Sequence, residues 1–548
     1  SQDIFADAGL ADDTLPADRL RSLYDDVRAK DIATSVTTAS LSNNSIYIND
    51  IYGNLFLAAV ASNNETMSFQ IAQRMLLSAA GTAVTKNQLR ESLSKPRSRK
   101  LLREIQDLAE DKLSAERVYS DLVLDSDDAP LTQQQAVIER LDRDIVAKTN
   151  ILLSLEDDLS AQLTAVDAPI STLQNELGDH IAQIGYLSFR GRIYAVVLTG
   201  KQVMTIELEG RVKDLKVLSD RVRSSIALSG GTETLPPFDA QASHDLYNQL
   251  FPKDIKNALS GITTLEIIPS SVLDDIPFSL LQTDAAQNEF LIDRMAVSMA
   301  PKFGVKRTAP RRKNGRSALT MIGVSGDFDV IAPLNVSSSA SQSMFADGGV
   351  RSLAALPGTK NEISEIAKAL DTEQATLLSG EDSTEAEFRR LRIDDVDIFA
   401  FATHAVMADE FEGLDEPALV FNRASVSEGS DNDGLLTSSE ITKLSLNADW
   451  VILSACNTAA PNEVGSASFE GLTRAFLYAG ADSLLVSHWP VRDDAAAFLT
   501  VNTVRYSQDG LSKAEALQKA IMDIRQNKDI PNSEHPAIWA PFVLIGNG

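Results

Sequence analysis

Trp450-Val451-Ile452-Leu453-Ser454-Ala455-Cys456-Asn457-Thr458 is the stretch that decides the fold. Four large apolar residues followed by small and polar ones read as a strand buried on both faces. Upstream, Val396-Asp397-Ile398-Phe399-Ala400-Phe401-Ala402-Thr403 has the same build and ends at His404. Residues 483–487 form a third such run, ending at His488-Trp489, and 319–324 a fourth. Helical patterns over 359–370, 383–391 and 469–479 alternate with these runs. That order predicts an α/β fold with a mostly parallel sheet covered on both faces. In such sheets the site forms beyond the carboxyl ends of the strands, where His404, Cys456 and His488-Trp489 fall.

Cys456 is the single cysteine. A lone thiol and an imidazole at neighbouring strand ends are what a cysteine nucleophile and its general base require. The backbone N–H groups of Cys456 and Ala405 suit a developing oxyanion. Taken singly, Cys456 reads equally well as a buried structural thiol and His404 as a strand-end histidine; their pairing favours a dyad. One thiol excludes an intramolecular disulfide and a multi-thiolate zinc site, and no clustered ligand spacing points to another metal. No cofactor is expected. A serine α/β-hydrolase lacks its Gly-x-Ser-x-Gly elbow here.

Acidic residues outnumber basic ones 77 to 50, for a net charge of −27. Such a surface repels nucleic acid and anionic membrane and attracts basic peptides. No apolar run reaches the roughly 18 residues needed to span a bilayer. The chain begins Ser1-Gln2-Asp3, without an initiating Met or a signal peptide, so it reads as a processed or excerpted product, compatible with a removed signal or an upstream domain. One thiol says little about compartment; a cytoplasmic setting is favoured, and a periplasmic or secreted one if a removed signal preceded residue 1.

Residues 1–90 read as helices, with helical spacing over 46–61 and 65–83 around Ser62-Asn63-Asn64; they suit the end of a TPR-like array, although no period of about 34 residues shows. Residues 91–168 read as a helical hairpin turning at 125–130. On its second arm Ile138, Leu141, Ile145, Leu152, Leu155 and Leu159 keep a heptad rhythm, with Lys148 in one seam slot. The hairpin is either a packed amphipathic pair or a protein-docking arm. At about residue 181 the period changes: 181–189 and 193–198 flank Arg190-Gly191-Arg192 as a β-hairpin. Thr199-Gly200-Lys201 lacks the residues of a phosphate loop. Further strand signals lie at 265–269. The tract 306–316 is the most basic loop, and 325–349 is rich in Ser, Ala, Asp and Gly.

The ordered blocks of residues 356–542 resemble a CHAT domain, a bacterial relative of caspases and separase often found downstream of TPR repeats. They include Leu356-Pro357-Gly358-Thr359 with Glu362, Phe401-Ala402-Thr403-His404, Asp433-Gly434-Leu435-Leu436-Thr437-Ser438-Ser439-Glu440, Leu453-Ser454-Ala455-Cys456-Asn457-Thr458, Ser487-His488-Trp489-Pro490-Val491 and His535-Pro536-Ala537-Ile538-Trp539. Less specific likeness extends back to about residue 180.

The resemblance implies a caspase-like, mostly parallel sheet flanked by helices, with a pseudo-caspase half and an active half, preceded by an all-α, partly coiled-coil region. Its segments are 1–90, 91–168, 169–316 and the catalytic 317–548. It implies a cysteine endopeptidase with a His404–Cys456 dyad, cutting proteins or peptides after Arg or Lys. In this reading the pocket acid is Asp493, with Asp494 able to exchange roles and His488 and Trp489 at the pocket wall. Asp493 reads equally as the N-cap of a helix starting near Ala495. The family usually carries glycine where this chain has Ala405, and alanine resists the φ values glycine allows. The N-terminal helices are expected to bind a regulatory protein. The rival class is a catalytically silent CHAT scaffold that acts as an interaction module.

Overall fold

The computed structural model describes residues 16–37, 44–77, 79–93, 95–125, 128–156, 169–226, 235–268, 273, 278–304, 319–328, 353, 355–406, 414, 416–422, 432–454, 466–489 and 491–548. Cys456, Leu159, the basic tract 306–316, Ile276-Pro277, Pro490 and most of 325–349 lie outside the described residues. The chain divides into two compact units: Ser1–Leu77, Val84–Leu173 and Val203–Thr205 form one, and Ser78–Ala83, Gln174–Gln202 and Ile206–Gly548 the other.

The first unit is helical. It contains α1 (Ala17–Thr37), α2 (Asn44–Ala61), α3 (Glu65–Met75), most of α4 (Ala79–Ser92), α5 (Pro96–Asp125) and α6 (Asp128–Leu155). Asn63 takes a φ of +53°, and Asn64 caps α3 by accepting from the Met67 N–H at 3.1 Å. The apolar run read as one helix over 65–83 is broken at Leu76, whose N–H bonds back to the carbonyls of Ala72 and Arg74. Arginine and leucine neighbours give no composition signal for that stop.

α5 and α6 run antiparallel. Lys148 bonds Glu104 at 2.5 Å near one end, and Lys112 bonds Asp142 at 2.6 Å farther along. Leu102 and Ile105 pack with Ile145 and Leu152 between the helices. Lys148 sits in the seam because its charge finds Glu104 across it while its methylenes stay in the interface.

The second unit is built on β1 (Ile181–Phe189), β2 (Arg192–Thr199), the last two residues of β3 (Val203–Glu207), β4 (Thr264–Ile268), a small hairpin of β5 (Gln282–Asp284) and β6 (Glu289–Phe290), β7 (Ala296–Met299), β8 (Met321–Ser325), β9 (Ala375–Leu378), β10 (Ile398–Ala402), β11 (Ala405–Val406), β12 (Ala418–Val420), β13 (Leu435–Thr437), β14 (Trp450–Leu453), β15 (Ser483–Ser487) and β16 (Phe542–Gly546). Eleven of these form one sheet in the order β3-β2-β1-β4-β7-β16-β15-β14-β10-β8-β9. It is mostly parallel and flanked by helices. The β1–β2 and β15–β16 pairings are antiparallel. Arg190 and Gly191, both at positive φ, make the two-residue turn between β1 and β2 that such a hairpin favours. Gly200 is explained by a close approach: a Cβ there would lie 1.9 Å from the Gly178 carbonyl oxygen.

β8, β10, β14 and β15 are buried along their whole length. That is why they appear in the sequence as unbroken apolar runs rather than alternating ones. Helix starts differ from the sequence reading by two or three residues. The helix read over 383–391 begins at Glu385, because Thr384 accepts from the Glu387 N–H and caps it. The helix read from 469 begins at Ser466, and the one read from about Ala495 begins at Asp493. Among the described residues no helix is long and apolar enough to cross a membrane.

Candidate active site

β8, β10, β14 and β15 are parallel neighbours, so their carboxyl ends share one sheet edge. The register is close. Leu453 pairs with Phe401 on one side and Val486 on the other. The chain leaves β14 at Ser454, whose N–H bonds the Phe401 carbonyl at 2.9 Å. It leaves β10 through Thr403 and His404. The sheet edge therefore places His404 beside the segment that leads to Cys456; Cys456 itself lies outside the described residues.

His404 is held by a second, three-stranded sheet of β11, β12 and β13. The Thr403 hydroxyl donates to the Val420 carbonyl at 2.6 Å, and the His404 carbonyl accepts from the Val420 N–H at 2.9 Å. Val406, Ala418, Val420 and Leu435 bury this small sheet against Phe328. His404 itself is only 4% exposed. Ala405 pairs with Leu419 in ordinary strand geometry and is not among the residues of positive φ. Alanine in place of glycine thus introduces no backbone strain here.

A small cleft lies at the same edge, lined in part by Thr359, Glu362, Ser454, Ser487, Asp493 and Phe542. Asp493 is the first residue of the helix Asp493–Gln508, with Arg492 at the cap position, so it is a first-turn acid rather than the N-cap. Burial, and then its neighbour Asp494, hold its carboxyl above the usual carboxylate range; a charged His404 pulls it back down. Gly358 packs closely against it: a Cβ there would lie 3.3 Å from the Asp493 Cβ, a tight contact. Asp494 points elsewhere and pairs with Arg492 at 2.6 Å on an exposed surface.

Glu362, on the helix Pro357–Ala369, is 3% exposed and accepts a hydrogen bond from the Thr500 hydroxyl at 2.7 Å. Burial pushes its carboxyl up to about 7; Thr500 and Ser454 favour the charged form, and Asp493 opposes it. Ser454 stands near enough to ease that charge, yet its buried Oγ makes no hydrogen bond of good geometry among the described residues. The sequence marked Glu362 only as part of a motif. Its single-sequence signal, a glutamate on the apolar face of an amphipathic helix, is weak.

The raised Glu362 has a stability consequence. Between about 4.5 and about 7 an unfolded chain has released this proton while the folded chain holds it. Stability therefore falls as pH rises through that window, by about 3 kcal/mol in all. Glu362→Gln is expected to leave the melting temperature unchanged at pH 5 and to raise it at pH 8. Thermal melts at both pH values check this; equal melting at pH 8 would mean the carboxyl is solvated.

His488 and Trp489 do not line the cleft among the described residues. The Trp489 indole donates to the Ala537 carbonyl at 2.9 Å and ties the end of β15 to the C-terminal segment. His488 donates its backbone N–H to Pro541. Burial, then Arg223, lower its imidazole to about 4, so it is neutral at pH 7. His535 caps the short helix Pro536–Trp539 through Nδ1 and bonds the Pro236 carbonyl through Nε2. His244 bonds the Gln282 carbonyl and Asn248.

The block 433–440 is fastened from below. Glu385, buried, accepts from the Gly434 N–H at 3.2 Å and pairs with Arg389, which also reaches Glu440 at 2.7 Å. Glu440 in turn closes a capping box with Thr437. Burial, and then Glu440, push Glu385 up to about 7.

A family model described as CHAT domain matches residues 240–547, more than half of the chain. Tetratricopeptide repeat protein 28 of Mus musculus is 34% identical over 113 residues, which are 21% of this chain and 4% of that protein. The Homo sapiens protein of the same name gives the same identity and coverage. The chain thus spans a small fraction of the curated relatives it matches. The crystal structure of the Saccharomyces cerevisiae separase–securin complex aligns over 96% of this chain and 40% of that one, at 10% identity and a TM-score of 0.35.

Proposed function

The chain belongs to the CHAT domain family, a caspase-like peptidase family, and from that premise we propose that it is a cysteine endopeptidase cutting after Arg or Lys. The observation that carries the reading is the in-register pairing of β10 with β14, which sets His404 beside the strand that leads to Cys456. In this reading the Cys456 thiolate attacks the scissile carbonyl carbon. The N–H groups of Ala405 and Cys456 stabilise the oxyanion. His404 gives its proton to the leaving amine and a thioester forms. His404 then takes a proton from water, the hydroxide attacks the thioester, and the acid product leaves with Cys456 as thiolate again.

Asp493 is the acid of the P1 pocket in this proposal, supported by its place in the cleft near His404. A basic side chain entering there meets a carboxylate at the exposed rim of the cleft and pairs with it by charge-assisted hydrogen bonds. His488, Trp489 and Asp494 act at one remove, by holding the segment that carries Asp493. The segments 169–316 and 317–548 serve as non-catalytic and catalytic halves. The helices of 1–90 and 91–168 bind a regulatory protein; exposed Val146, Ile151 and Leu153 on α6 support a docking role.

Incubation of the full chain with a P1-scanned peptide set tests the activity, and turnover by wild type but not by Cys456→Ala is the expected result. The basic tract 306–316 is a second expected target. On incubation wild type is cut within it and Cys456→Ala stays whole, read by mapping new termini. Equal intactness of the two removes the self-processing idea.

A further inference from the structure

Two carboxyls line the cleft, and no lysine or arginine among the described residues makes an ion pair with either. Asp493 stands at the first turn of its helix. Glu362 lines the same cleft, 3% exposed, with one oxygen fixed by Thr500 at 2.7 Å. A buried carboxyl with no counter-charge stays protonated at the cost of its acidity, or waits for a cation. The buried Ser454 Oγ lines the same cleft and makes no hydrogen bond of good geometry among the described residues.

We propose that Glu362 is a second, specificity-determining acid of the P1 pocket, neutral in the empty cleft and ionised when a guanidinium enters, so that binding an arginine side chain releases a proton. The inference rests on the reading of this cleft as the P1 pocket. The balance is simple: the Glu362 carboxyl gives its proton to solvent, the guanidinium keeps its own, and a buried ion pair replaces a buried neutral acid. A planar guanidinium has five donors, enough to meet Asp493, Glu362 and Ser454 together.

The surroundings isolate this titration. Glu362 is pushed up to about 7, chiefly by burial. Among the described residues the ionisable group that bears on it is Asp493 of the neighbouring helix, itself influenced by Asp494 and His404. Strands β8, β9, β10, β14, β15 and β16 carry no ionisable side chain. On its own helix Lys360 is exposed, and Glu365 pairs with Lys368.

The test is calorimetric titration of the full chain with Nα-acetyl-arginine methylamide and its neutral citrulline counterpart, in two buffers of different ionisation enthalpy, at pH 6 and pH 8. About one proton should leave per arginine bound at pH 6 and almost none at pH 8. Affinity should be about tenfold weaker at pH 6, the ratio of the ionised fractions of a group near 7. Glu362→Gln should abolish both effects, and citrulline should show neither. Should the variant fail to fold, the wild-type pH dependence against citrulline decides alone. Proton release that survives Glu362→Gln, arginine binding without proton release at pH 6, or no arginine binding would overturn the proposal. Proton-linked binding without peptide turnover would instead refute the peptidase and leave the two-acid pocket standing.

Discussion

Cys456→Ala and His404→Ala are each expected to lower peptide turnover by about 10³-fold or more, with the double variant little worse than either single one. A nucleophile and its base act as one unit, so removing either removes the covalent route. The geometry on the His404 side is fixed by the sheet. Its backbone is clamped by Val420 and Ala405 by Leu419, in a small sheet with its own buried cluster. His404→Ala removes an imidazole without touching those backbone bonds, so the variant should fold. Circular dichroism and melting close to wild type, with turnover gone, are the expected pair of results. Additive losses in the double variant would mean that the two residues do not work in one mechanism.

Asp493→Asn should lower kcat/KM for Arg and Lys substrates by about 10²-fold, the scale set by leaving a buried cation without its partner. Substrates with a neutral P1 should change little, so the selectivity profile flattens rather than the whole activity falling. The isosteric amide keeps the packing against Gly358, which separates loss of charge from loss of shape. The variant also removes the Asp493 charge that works against ionisation of Glu362. Unchanged preference for basic P1 residues would move the pocket elsewhere.

Much of the sheet was legible because parallel strands buried on both faces leave long apolar runs. The runs ending at His404, Ser454 and His488 gave β10, β14 and β15, and Arg190-Gly191 gave the hairpin turn. Helix starts were harder. Thr384 caps from inside a polar run, and Asp493 reads as a cap by composition although the helix already includes it. At the sheet edge, the place of His404 was legible from one motif on one strand. Glu362 and Ser454 were not, since their meaning depends on residues far apart in sequence converging at one sheet edge: Thr500 lies on another helix and Asp493 at that helix's start. Asp493 and Asp494 look interchangeable in sequence, and only the helix turn sends one toward the cleft and the other to Arg492.

The most direct measurement is hydrolysis of a fluorogenic peptide library scanned at P1, with wild-type chain, Cys456→Ala and Asp493→Asn side by side. The account predicts cleavage by wild type confined to Arg and Lys, none by Cys456→Ala, and a flattened profile for Asp493→Asn. Equal turnover by wild type and Cys456→Ala, or none by wild type with or without a bound partner protein, would contradict it.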